Sequence, residues 1–129
     1  MRYLHEDELK IATRFLFLSM AMVVIKQDIA HFQNGKFKIN EPYLELLEKM
    51  ASLARNERRR LRKVMEDRKI QVVRLNKNDS FSSFLFLCQG REEKRNYFNP
   101  VIRKEVEEII RNLMKKALQP SQASAAAKT

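Results

Sequence analysis

Eleven consecutive residues, Phe15–Ile25, are apolar at every position except Ser19, and Arg14 and Lys26 bound them. No amphipathic pattern survives in this stretch. As a helix it is apolar on nearly every side, and such a helix has to be covered on nearly every side. At 1.5 Å per residue the run reaches only about 16 Å, roughly half a bilayer core, so it does not span a membrane. Acidic Glu6, Asp7 and Glu8 precede it and no small-residue cleavage site follows, which argues against a signal peptide. Two readings stay open: the helix threads the centre of a bundle, or part of it forms a homodimer seam.

The punctuation around this run predicts three long helices. The first extends from about Glu6 to His31 or Phe32, with acids at its start and Asn34-Gly35 as its stop. Lys36–Ile39 reads as an extended connector. Asn40 is an N-cap before Glu41 and Pro42, and the second helix runs from there toward Arg68. Tyr43, Leu47, Met50, Ala54, Leu61 and Val64 form its stripe, with Glu57 where an apolar residue is due. Ser52–Asn56 leaves room for a bend, although no glycine or proline enforces one.

Ile70–Leu75 is the best strand candidate, and Asn76–Ser80 is a turn by composition. Phe81–Cys88 fits either period, and strand is favoured because its neighbour needs a partner. Gly90–Arg95 reads as a charged loop, with Asn96–Phe98 as a third short strand. Asn99-Pro100, as N-cap and first helical residue, opens a last helix that Pro120 ends. The expected fold is therefore mainly α: a bundle-like domain of three helices, 1–118, with a β-hairpin at about 70–88. The alanine- and serine-rich residues 119–129 are set aside as a disordered tail.

Charge divides the chain. Residues 1–53 hold seven Lys/Arg and seven Asp/Glu, whereas residues 54–129 hold nineteen against nine, which is the whole net charge of +10. Half of the excess lies in Ala54–Lys69, where eight bases face only Glu57, Glu66 and Asp67. Three acids at helical spacing cannot neutralise eight bases. Such asymmetry points to an anionic partner, nucleic acid first, and arginine's planar fork suits phosphate. The predicted contacts are Arg55, Arg58, Arg59, Arg62, Lys63 and Lys69 on the second helix and Arg91, Lys94 and Arg95 in the charged loop.

The order helix, two strands, charged loop, helix resembles that of a winged helix, in which a basic wing grips the backbone. The recognition helix of that motif needs a turn before it, and Ala51–Glu57 shows no clear one. The plainer reading is a hairpin that closes the core. The alternative function is a structural or adaptor protein that oligomerises through its first helix and docks an acidic protein on the same basic face. A membrane-surface role is weaker, because the basic helix has no wide aromatic-rich apolar face.

Little points to catalysis. With two histidines and one cysteine there is no zinc pattern or Cys-His nucleophile pair, and the two glycines make no phosphate-cradling loop. His5, Asp7 and Glu8 read as a charged helix start, and Cys88 as an inert thiol. No enzyme activity, cofactor or metal is expected. The unpaired cysteine fits a reducing, cytoplasmic setting.

Overall fold

The computed structural model describes residues 2–120. The expected tail therefore lies almost wholly outside the described residues. Three helices, α1 (Glu6–Asn34), α2 (Glu41–Arg68) and α3 (Asn99–Leu118), combine with three strands, β1 (Ile70–Lys77), β2 (Phe81–Cys88) and β3 (Arg91–Phe98). The strands form one antiparallel meander in the order β1-β2-β3, placed in sequence between α2 and α3. The mainly helical bundle with a hairpin is thus incorrect: this is an α+β fold with a full three-stranded sheet.

The error lies in the segment read as a charged loop. Arg91-Glu92-Glu93-Lys94-Arg95 carries no apolar alternation, yet it pairs with β2 one-to-one from Cys88↔Arg91 to Phe81↔Phe98. Its polarity is that of an edge strand, wet on one face and using ion pairs on the other. The connecting Gln89-Gly90 has positive φ at both residues (49° and 81°), the geometry of a tight two-residue hairpin. Gly90 meets that requirement at no steric cost, and Gln89 does not.

β2 is the strand favoured over helix. Ser82, Phe84, Phe86 and Cys88 are buried toward the helices, while Phe81, Ser83, Leu85 and Leu87 alternate to the outer face. That outer face is open: Val73, Leu75, Phe81 and Phe98 are all more than a third exposed. Between Arg74 and Lys77 the register shifts, so that three steps along β1 match two along β2 (Arg74↔Phe84, Lys77↔Ser82). This bulge puts both cations opposite inward-facing residues, where an unbroken strand would have turned Lys77 outward.

α1 threads the centre. It meets α2, α3, β1 and β2, and Val23 is its one large apolar side chain left more than a third exposed. Its middle packs with α2 and α3 around Phe17, Leu18, Ala21, Ile25, Met50, Ile109 and Leu113. Its first turns pack with the sheet around Ala12, Met65, Ile70, Phe84 and Phe86. Leu16, Met20, Tyr97 and Ile102 touch both clusters and join them into one core.

Asn40 is the N-cap of α2 as expected, although its side chain caps no helical N–H, whereas Asn99 is not an N-cap. The Asn40 side-chain amide donates to the Phe32 carbonyl at 2.9 Å, tying the start of α2 to the end of α1. Asn99 lies inside α3, whose N-cap is Phe98. Its Oδ1 accepts from Ser82 Oγ at 2.7 Å and its amide donates to the Asn78 carbonyl at 2.9 Å, fastening α3 to the β1–β2 turn.

Candidate functional site

α2 is a single unbroken helix through Ser52–Asn56, so no turn precedes its basic half. Met50, Ala54 and Met65 are buried on its inner face. With 100° between successive residues, Arg55, Arg59 and Arg62 fall on one exposed stripe, with Arg58 on its core-side flank and Lys63 on its outer flank. Among the described residues, none of Arg55, Arg59, Arg62 and Lys63 has a carboxylate within salt-bridge distance.

Arg58 is only half available. Its Nε donates to Ser19 Oγ at 2.8 Å and its guanidinium lies 4.6 Å from the centre of the Phe15 ring. Burial, and then the neighbouring Arg62 charge, pull its pKa below the usual arginine value. Glu57, the acid interrupting the apolar stripe, is held bidentately by Arg14 at 2.6 and 2.9 Å. That pair holds Glu57 below and Arg14 above their ordinary pKa values. The apparent flaw in the α2 stripe is thus a tie to α1, and it engages one of the three acids of the basic half, the other two being Glu66 and Asp67.

The remaining predicted contacts scatter. Lys69 caps α2 in the left-handed conformation (φ 58°), with its N–H bonded to Glu66 O at 3.3 Å. Arg91 is spent internally. Its guanidinium grips both oxygens of buried Glu8, through Nη1 to Oε1 and through Nη2 to Oε2 at 2.8 Å. Arg95 pairs with Glu93 at 2.7 Å. Lys94 stands opposite Leu85 on the outer sheet face, on the strand farthest from β1, whereas α2 lies on the inner side. With Arg91 and Arg95 engaged by acids and Lys94 on the outer sheet face, β3 adds no free cation to the exposed stripe of α2.

Glu8, read from sequence as part of a charged helix start, is instead the centre of a polar knot. Besides Arg91 it accepts the His5 backbone N–H at 2.7 Å and the Cys88 thiol at 3.3 Å. Arg68 approaches at 3.9 Å and bonds Asp7 at 2.7 Å. The Arg91 hydrogen bonds hold Glu8 down to about 2, and burial pushes the Cys88 thiol up. No sequence signal marks this knot, since Glu8 and Arg91 are 83 residues apart. It ties α1, the end of α2 and the β2–β3 turn together.

One further concavity of about 580 Å³ lies between α1, the bulged end of the β1–β2 pair and α3. Among the described residues, no three His, Cys, Asp or Glu side chains stand close enough to hold a metal ion, and no helix is long and apolar enough to cross a membrane.

No solved structure matches the chain. It is 31% identical over 110 residues to a Bacillus subtilis (strain 168) protein described as "Uncharacterized protein YhjD", an alignment covering 85% of this chain and 92% of that relative. The model of the YhjD protein family matches residues 3–118, from the segment before α1 to the last residue of α3. The three helices and the intervening sheet therefore lie within one family unit, and the chain belongs to the YhjD protein family.

Proposed function

We propose that the protein is a non-enzymatic accessory or regulatory factor that binds the nucleic-acid backbone through the outer face of α2. One observation carries the reading. Arg55, Arg59 and Arg62 stand three and four residues apart on one exposed stripe without acid partners, while Arg14, Arg68, Arg91, Arg95, Arg103 and Arg111 all have them. The footprint is narrower than the sequence implied, comprising Arg55, Arg59, Arg62 and Lys63 with part of Arg58. Arg55 to Arg62 covers about 10 Å of helix, the axial rise of roughly three phosphates of one strand. No exposed aromatic lies on the stripe, so backbone contact is favoured over base stacking. The reading belongs with a cytoplasmic protein.

Fluorescence anisotropy of a labelled duplex at several salt concentrations tests it. The logarithm of affinity is expected to fall linearly with the logarithm of salt. Replacing Arg55, Arg59 and Arg62 by alanine reduces that slope by about 2 to 3, near 0.9 for each phosphate left without its arginine. Arg95→Ala leaves it unchanged. Binding that is undetectable at low salt, or indifferent to the triple substitution, rules the reading out. If an acidic protein is captured by the same stripe and resists nuclease, the adaptor alternative takes its place.

A further inference from the structure

We propose that the cleft between α1, the β1 bulge and α3 is a binding site for a small amphipathic carboxylate, an acid head on a hydrocarbon body of medium chain length. Its volume of about 580 Å³ falls within the range of small-molecule sites. Its walls are apolar side chains from three elements: Met20 and Val24 on α1, Phe84 on β2, and Ile102, Val106 and Ile110 on α3. Its rim holds Arg74, Lys77 and Arg103 against a single acid, Glu107. That acid is already engaged by Arg103 at 3.5 Å. Arg74 and Lys77 have no carboxylate within salt-bridge distance among the described residues, so the rim keeps two uncompensated positive charges above an apolar floor.

The local backbone is built to produce this. Arg74 and Lys77 are three residues apart and on a regular strand would face opposite sides of the sheet. The bulge between them brings both opposite inward residues, Phe84 and Ser82, so both heads meet the cleft. The first turn of α3, which also lines the cleft at Asn99, Ile102 and Arg103, has no acidic residue that would oppose an anion, although its Asn99 N–H is taken by the Ser80 carbonyl at 2.8 Å and Pro100 has none to give. The polar residues beneath, Ser82 and Asn99, are bonded to each other and hold the rim in place. An apolar pocket of three walls with an excess of cations on one lip matches a hydrocarbon body ending in a carboxylate. A phosphodiester polymer has no use for the floor, and a neutral hydrocarbon has none for the lip.

Isothermal titration calorimetry of the full chain with octanoate, octanol and octyltrimethylammonium, kept below micelle formation, gives the test. Saturable one-to-one binding of octanoate is expected, with octanol weaker by about tenfold or more, as the absence of a charge-assisted hydrogen bond implies, and the cation not binding. Arg74→Gln with Lys77→Gln should bring octanoate to the level of octanol. Val106→Phe, with unchanged circular dichroism, should block both by filling the floor. Backbone amide shifts on octanoate addition should centre on β1, β2 and the first turns of α3. The proposal is overturned if octanoate fails to saturate, if octanol binds as well and the double glutamine variant changes nothing, or if the shifts fall on the outer sheet face. None of these readouts involves Arg55, Arg59 or Arg62, so the result is independent of nucleic-acid binding.

Discussion

Glu8 and Arg91 show how much a residue's role depends on what lies across from it. A buried carboxylate held near 2 instead of 4.5 is one whose charged form the fold favours. Its contribution to stability is complete above the ordinary carboxyl pKa and is lost as pH falls from about 4.5 toward 2. Asp7 and Glu57, also lowered by arginine partners, add in the same direction. Glu8→Gln is therefore expected to be less stable at neutral pH and to show a shallower loss of stability between pH 4.5 and 2. Urea denaturation midpoints across that range would show it, and a parallel acid limb in the variant would contradict it. Cys88, buried and with its thiol pKa raised by burial and by Glu8, should not react with Ellman's reagent until the protein is unfolded. The sequence shows acids, arginines and a thiol, but which carboxylate meets which guanidinium is a property of tertiary contact, so Arg91 and Arg95 are indistinguishable from the exposed, acid-free arginines of α2 until their partners are seen.

At the level of elements, legibility followed apolar periodicity and turn chemistry. α1, α2, α3, β1 and β2 were all visible within a few residues, because Phe15–Ile25, the α2 stripe and Phe81–Cys88 carry their own signals. β3 was invisible along most of its length, since an edge strand satisfied by ion pairs carries no alternation. The bulge in β1 was equally silent, and with it the cleft, because nothing in Arg74-Leu75-Asn76-Lys77 announces a register shift. β2 is the element on which the sheet depends. Phe84 and Phe86 are almost fully buried, and Phe86→Ala is expected to cost about 3–5 kcal/mol in chemical denaturation. Ser83→Thr, on the open outer face of the same strand, should change stability by less than about 0.5 kcal/mol.

For the molecule as a whole, the two packed clusters share Leu16, Met20, Tyr97 and Ile102, and so should not melt separately. Helical circular dichroism and Tyr97-weighted fluorescence are expected to give coincident unfolding curves, both in the parent and in Phe86→Ala. Two resolved transitions would mean that the sheet and the three-helix cluster are independent. The central position of α1 also has a consequence for synthesis. Its apolar middle is covered by α2, α3 and the sheet, and its Glu8 finds Arg91 only after 83 further residues are made. At about 5–20 residues per second, α1 waits several seconds for the rest of its own chain, an oily rod without its cover. A nascent chain stalled before β2 should therefore be bound by holdase chaperones, and one extended past α3 should be released.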